Sequence, residues 1–521
     1  MTFAQMLMWF LDVRAVLLCV FSLFALRWIF SVKKNLPPGP SGFPIVGSAP
    51  AILLGRMLHG LQPYHLFAKY AEKYGPVVHL KLFNKTMIIL NDFSSIRDAF
   101  QHPNFNDRPK MLFAELTDAY GVSTISGEPW LELRRFCISA LRNFGIGKSS
   151  FEEKIVIEAE EVVKKMNAYD GKPFDPKAPF ANAVANIIYS VIFGKRYNST
   201  DEEFKKLVLI NENMKLVGAG AAICVFHFLR HLPFVPFDKI MANFEASRKC
   251  MKGIINAHRA SFDPDNLEDF TDVYLMEIQQ NLAESEGAET AVDQSTPKPG
   301  THMHLNEKNF IGTVENIIVA GSESTATTLE WIVLYMAFYP DVQRRVQAEI
   351  DAVVGRERLP RLTDKPELNF TQAVIWEIQR MSCIGPLGIP HCASADTYFR
   401  GYLIPKGALL VANFWSVFKD PTVWQDPDQF KPERFLNEDG KAVKPDELIP
   451  FSIGRRYCFG EHLAKMELFI FFSYLMHQFT IKKPDNSPPL TLKGKVGLIH
   501  SALPFQICAI KRDKNRENGT V

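Results

Sequence analysis

The stretch FSIGRRYCFGE, Phe451–Glu461, holds one cysteine, two arginines, two glycines and two phenylalanines in eleven residues. Directly after it, EHLAKMELFIFFSYLMHQF (Glu461–Phe479) carries a helical pattern of apolar positions. Cys458 therefore stands just before a helix N-terminus, where unpaired backbone N–H groups and the helix dipole stabilise a thiolate. Gly454 and Gly460 permit a tight turn and close approach of backbone to a flat object. Arg456 supplies a guanidinium suited to a carboxylate. A flat, anionic, metal-containing ligand would need all of these. A catalytic thiol would need a general base nearby, and no Cys-His motif is present. A zinc site would need further ligands at short spacing. An ordinary buried cysteine would need neither the glycines nor the arginine.

The surrounding chain has the composition of a globular protein with a large core: 521 residues, 47% hydrophobic, 22% charged, net charge +2. No long basic run appears, which argues against a nucleic-acid partner. Length alone would suggest several domains, but large single-domain folds break that rule. The eight cysteines are scattered, and none forms C-x-x-C or C-x-x-C-H. That speaks against a zinc ribbon, a thioredoxin-like pair or a covalently attached haem, and for a reducing compartment.

The N-terminus differs from the rest. Its uninterrupted apolar run, Ala15–Leu26, is shorter than the roughly 20 residues of a spanning helix. Met6–Leu11 and Trp28–Phe30 extend it, and Arg14 and Arg27 can snorkel to the interfaces. No small-x-small cleavage site follows. Lys33 and Lys34 do follow, which favours an uncleaved anchor over residues 1–30 with a cytosolic body. LPPGPSGFPIVG, Leu36–Gly47, cannot continue a helix. It reads as a stiff elbow within residues 31–47, ahead of a body of residues 48–521.

Within the body, Leu66–Tyr74, Glu152–Met166 and Pro340–Val354 show helical periodicity. Val77–Leu90 predicts two strands around a turn at Asn84–Lys85. Tyr398–Leu410 and Pro488–Lys511 also predict strands. The fold class is thus mainly α with small β-sheets. Glu284–Gly300 is polar and predicts an unstructured surface loop. Gly218–Phe237 fits either core packing or a lid touching ligand and membrane. Glu245 and Arg248 read as a solvated surface pair.

Phe451, Gly454, Arg456, Cys458 and Gly460 fill F-x-x-G-x-R-x-C-x-G at every fixed position. This resembles the haem-binding loop of the cytochrome P450 family, in which the cysteine thiolate holds the haem iron. The resemblance runs from the PPGP elbow to the C-terminal strands. LRNFGIGKSSFEEKI (Leu141–Ile155) and FSIGRRYCFGEHLAKMELF are most similar to the family 2-like microsomal branch. It implies the cytochrome P450 fold, one large catalytic domain after an N-terminal membrane anchor. Cys458 is then the metal ligand, and Phe451, Arg456 and Gly460 also bind the haem.

Other segments are similar to the same family. Glu377 and Arg380 share a helix face, and with Arg434 of KPERF they match a buried charge cluster that is structural rather than catalytic. In AGSESTATT, Ala320–Thr328, the residues Ala320, Gly321 and Glu323 match A-G-x-[DE]-T, an oxygen groove with a proton relay. Ser324 replaces the threonine and Thr325 follows it, so which hydroxyl matters is open. Small residues here would equally serve close helix packing. Trp130 and Arg134 resemble a haem-propionate pair. Arg108 and His391 match positions that support propionates in the microsomal branch.

The implied activity is monooxygenation. Haem b (iron protoporphyrin IX) and O2 would insert one oxygen atom into a lipophilic substrate such as a fatty acid, a steroid or a xenobiotic. Glu323 with Ser324 or Thr325 would steer protons. No G-x-G-x-x-G follows a strand. NADPH electrons should therefore come through a separate flavoprotein, NADPH–cytochrome P450 reductase, in the endoplasmic reticulum membrane. Cytochrome b5 is a further candidate partner. Substrate walls are expected along Met111–Ser126, Leu216–Phe237, Asn316–Thr325, Ile384–Ile389 and Ser501–Phe505. A haem-thiolate isomerase or dehydratase and a non-catalytic haem-binding protein are the alternatives. The Glu323-Ser324-Thr325 run argues against both.

Overall fold

The computed structural model describes residues 15, 16, 19, 22, 35–43, 45–109, 120–143, 149–208, 237–289, 305–497 and 499–512. In chain order the helices are α1 (Ala49–His59), α2 (Pro63–Tyr74), α3 (Phe93–Gln101), α4 (Gly127–Asn143), α5 (Ser149–Asn167), α6 (Lys177–Ile192) and α7 (Phe237–Ala260). Then follow α8 (Phe270–Glu289), α9 (Glu307–Phe338), α10 (Pro340–Val354), α11 (Asn369–Ser382), α12 (Phe414–Phe418) and α13 (Glu461–Gln478). The strands are β1 (Val77–Leu82), β2 (Lys85–Leu90), β3 (His391–Cys392), β4 (Thr397–Phe399), β5 (Tyr402–Ile404), β6 (Leu409–Ala412), β7 (Phe479–Lys482), β8 (Gly494–Val496), β9 (His500–Ala502) and β10 (Cys508–Lys511). The fold is mainly helical with small sheets, as expected.

The chain divides into two compact units. One comprises residues up to Pro109 together with Leu387–Val417. Its sheet has the order β1-β2-β6-β3, with β6 parallel to β2 and the other pairs antiparallel. The last four residues of β2 are all buried, as befits a strand with neighbours on both sides. The β1–β2 turn falls at Phe83–Asn84, one residue earlier than expected, because Lys85 pairs with Leu82. The elbow is irregular and closes through an isolated Phe43–Gly47 bridge.

The other unit comprises Lys110–Pro386 and Phe418–Val521. Its spine is α9, against which α6 and α13 pack, with α5 against both of those. The Asn306 side chain caps α9 by accepting the Asn309 N–H at 3.1 Å. A helix apolar on all sides must be surrounded by protein, and α9 is buried throughout Asn309–Ile318 and again throughout Thr325–Met336. Between those runs lies Val319–Ser324, where only Ser322 is buried. Helix α13 is likewise buried from Met466 to His477.

Two expectations are corrected here. Helix α8 continues to Glu289, so Glu284–Glu289 are helical rather than loop. Alanine and glutamate dominate that stretch and favour helix over coil. Residues 290–300 lie outside the described part. Arg248 is no surface partner of Glu245: its Nε donates to Glu315 Oε1 on α9 at 2.7 Å, and Glu315 is buried.

Nearly all of the expected anchor, and Gly218–Phe237 apart from its last residue, also lie outside. Among the described residues no helix is long and apolar enough to cross a membrane. No described cysteine is in a disulfide.

Candidate functional site

The Cys458 loop is tied by its own backbone. The Cys458 N–H donates to the Phe451 carbonyl at 2.9 Å, and the Tyr457 N–H to the Gly454 carbonyl at 3.3 Å. Gly454 has φ 77, a left-handed value that glycine adopts without strain. Gly460 caps α13 and hydrogen-bonds the Cys458 sulfur. Cys458 is exposed by surface area, yet the protein around it is dense enough that burial pushes its thiol above the ordinary value. The Gly460 N–H and Arg134 pull the other way, and the Glu461 carboxylate adds to the rise. Exposure governs access of a ligand, and packing governs the titration. The Gly460 N–H at the helix terminus favours a thiolate, burial opposes it, and a metal ion on the sulfur would favour it further.

Helix α4 places Trp130 and Arg134 on one face. Arg134 Nη2 donates to the Tyr457 carbonyl at 2.6 Å, and its guanidinium lies 4.8 Å from the Tyr457 ring. Arg456 Nη2 donates to the Ile125 carbonyl at 2.7 Å, and its guanidinium stacks 3.9 Å over the Trp130 ring. All three side chains are buried. Burial works against the Arg134 charge, and the groups that offset it are Tyr457, Cys458 and Cys137, with no carboxylate among them. Trp130 Nε1 is buried without an acceptor among the described residues. Buried donors left in this state cost about 1–3 kcal/mol each, more for a charged one. They fit a ligand that brings its own carboxylates to the cysteine, as the two propionates of a haem do.

The exposed interval of α9 separates the two candidate hydroxyls. Ser324 Oγ donates to the Ala320 carbonyl at 2.7 Å, and Ala320 is exposed. Glu323 is half-buried beside them. Thr325 is buried, and its hydroxyl acts on Glu467 of α13 instead. Gly321 serves helix packing: a Cβ there would sit 2.5 Å from Ile188 Cδ1 on α6.

Behind α11, the wholly buried Glu377 accepts from Arg380 Nε at 2.7 Å, Arg380 Nη2 at 2.8 Å, the Lys431 N–H at 2.8 Å and Arg434 Nε at 3.1 Å. Arg380 also donates to the Phe418, Pro427 and Gln429 carbonyls. Arg434 donates to those of Gln425, Asp426 and Gln429. This is the structural charge cluster that the sequence suggested. Arg108 and His391 belong to the other unit. Arg108 Nη1 donates to the Ile389 and Pro390 carbonyls at 2.9 and 2.8 Å. His391 Nδ1 bonds the Phe105 carbonyl at 2.7 Å and its ring stacks on Phe100 at 3.9 Å.

Sequence reading missed three features. Gly121 and Gly312 cross so closely that a Cβ on Gly312 would lie 2.7 Å from the Tyr120 carbonyl. Asn316 Oδ1 accepts the Ser123 N–H at 2.8 Å and fixes the segment before α4. Glu467 is a buried acid whose Oε1 has no partner among the described residues. A glycine inside a long apolar helix was the one available signal.

The family model described as "Cytochrome P450" matches residues 37–509. The chain is 36% identical to cytochrome P450 2U1 of Rattus norvegicus, over 96% of this chain and 95% of that protein. It is 36% identical to cytochrome P450 2J2 of Homo sapiens, over 92% and 91%. With cytochrome P450 18a1 of Drosophila melanogaster the identity is 33%, over 94% and 89%. With matches of this extent, the chain belongs to the cytochrome P450 family: it is an oxidoreductase that oxygenates lipophilic substrates with haem b, O2 and electrons from a reductase.

Proposed function

We propose that the chain is an anchored monooxygenase of the endoplasmic reticulum membrane, with residues 1–30 as anchor, 31–47 as elbow and 48–521 as catalytic domain. The observation that carries the site assignment is the buried Arg134, bonded to the Cys458 loop at the Tyr457 carbonyl and without a carboxylate partner among the described residues. When bound, the haem supplies the activation of O2. The protein's own residues do the rest. Cys458 holds the iron. Arg134, Trp130 and Arg456 hold propionates. Phe451 and Gly460 shape the loop around the sulfur. The resemblance alone carries Arg108 and His391 as further propionate partners.

Ser324 is the relay hydroxyl. Its side chain lies in the exposed interval of α9, next to Ala320 and Glu323. Its O–H donates to the Ala320 carbonyl and can turn to pass a proton on, with Glu323 as the neighbouring acid. Electrons come from NADPH–cytochrome P450 reductase, with cytochrome b5 as an alternative donor. Its acidic face would meet basic residues near the cysteine loop, such as the exposed Arg455.

The test is reconstitution with that reductase, NADPH, isotopically labelled dioxygen and a lipid extract. A product carrying one labelled oxygen is expected. A rearranged, unlabelled product formed without NADPH overturns the reading in favour of an isomerase. Cys458→Ser should lose the cysteine-type reduced carbonyl spectrum. Ser324→Ala should cut product per NADPH by about tenfold or more, and Thr325→Val by less than about twofold.

A further inference from the structure

The acid Glu467 has no part in the mechanism above, although it lies in the core of the unit that carries Cys458. It sits on α13, two turns past the Cys458 loop, within a run of apolar residues that is buried from Met466 to His477. Three other buried glutamates of this unit have guanidinium partners: Glu377 has Arg380 and Arg434, Glu315 has Arg248, and Glu158 has Arg196. The Thr325 hydroxyl on α9 acts on Glu467, whose Oε1 has no partner among the described residues.

Charged and titratable groups meet α13 elsewhere along its length. Glu461 pairs with Lys465 in the first turn, Lys365 lies 5.5 Å from the Phe469 ring, Arg361 acts on Tyr474, and Arg356 and Asp351 act on His477. None of these perturbs Glu467, whose proton affinity is governed by burial first and by Thr325 second. An unpaired carboxylate in such a place costs several kcal/mol of desolvation, and keeping the proton avoids that cost.

Three hydroxyls along this part of α9 bond back to their own helix. Ser322 donates to the Ile318 carbonyl, Ser324 to that of Ala320 and Thr328 to that of Ser324. The Thr325 hydroxyl acts instead on Glu467 of α13.

We propose that Glu467 is a positioning residue: an uncharged carboxylic acid that holds the Thr325 hydroxyl against α13 and leaves Ser324 as the hydroxyl of the exposed interval. The proton stays on the Glu467 carboxyl through the reaction, and no bond to it is made or broken. Helix α13 follows directly on the thiolate loop, so this contact links the helix after the iron ligand to the helix that bears the relay. The inference rests on the reading of Ser324 as the relay hydroxyl. Burial that lifts the Glu467 carboxyl to about 8 agrees with an uncharged acid at neutral pH.

The experiment is an infrared difference spectrum of the holoprotein, wild type minus Glu467→Gln, at pH 6.5 and 9.5. A protonated-carboxyl carbonyl band at pH 6.5 that gives way to carboxylate bands at 9.5 is expected. Thr325→Val should shift that band. Carboxylate bands already present at pH 6.5, or a band that Thr325→Val does not move, overturn the proposal. Glu467→Met is the functional arm. It should retain the cysteine-type carbonyl spectrum while raising peroxide released per product by about threefold or more. An unchanged ratio overturns the positioning role. Loss of the carbonyl spectrum or of labelled product in the wild type would instead count against the monooxygenase reading itself.

Discussion

Arg380 is fully buried and makes six hydrogen bonds or ion-pair contacts through one side chain. Arg380→Ala would leave Glu377 with the remaining Arg434 and strip the Phe418 carbonyl of its side-chain donor, while Lys419 and Arg434 still reach the Pro427 and Gln429 carbonyls. Removing one partner of a buried pair costs about 3–5 kcal/mol, read as a lower midpoint in urea denaturation. Arg380→Lys should recover little, because an ammonium cannot span the fork that the guanidinium fills. At Gly312 the limit is steric. Gly312→Ala pushes a methyl to 2.7 Å from the Tyr120 backbone. The expected result is loss of about 1–3 kcal/mol from forced overpacking, checked by thermal unfolding. Residues of this kind differ in how well a sequence announces them. Cys458, Arg456 and Glu377 could be picked out because a soft ligand or a charge stood in a patterned setting. Glu467 could not, since an acid near the start of a helix ordinarily faces water. Its burial follows from α13 being enclosed on all sides.

At the scale of elements, the joint between α7 and α8 is held by a histidine. His258 Nε2 lies 2.7 Å from Asp269 Oδ2 and 3.5 Å from Asp272 Oδ1. Asp269 Oδ1 meanwhile accepts the Asp272 N–H at 3.1 Å. The hydrogen bond to Asp269 raises the His258 imidazole above its ordinary 6.5, with burial opposing. The stabilisation is thus fully present below pH 6.5 and is lost as pH rises through the raised folded value. Hydrogen exchange at the first turn of α8 should accelerate across that range in the wild type. His258→Gln should show no such dependence. Periodicity made α2, α5, α10 and α13 legible in advance. The end of α8 was not, because a polar, alanine- and glutamate-rich stretch satisfies both a helix and a solvated loop. The partner of Arg248 was hidden for a different reason: Glu315 is 67 residues away in sequence.

For the whole molecule, the chain runs through one unit, leaves it after Pro109 and returns at Leu387–Val417. The return is made by β6 lying parallel to β2. No local signal in the sequence marks that partnership, so a single continuous body was the natural reading of residues 48–521. The N-terminal segment offers a test at this scale. The full chain should co-sediment with lipid vesicles, and a chain lacking residues 1–30 should do so about tenfold less or weaker still. Equal binding would point to another surface, such as exposed Leu53, Leu54, Met57 and Leu58 of α1. The charge cluster around Glu377 carries a consequence of another kind. Arg380 and Arg434 grip the stretch between Phe418 and Gln429 by its carbonyl oxygens. Every amino acid has a carbonyl. The outward side chains of that stretch that bind nothing else described, such as Val423 and Gln425, are therefore free to drift over evolutionary time. A lineage can rewrite this patch of surface one residue after another while the two arginines keep its path.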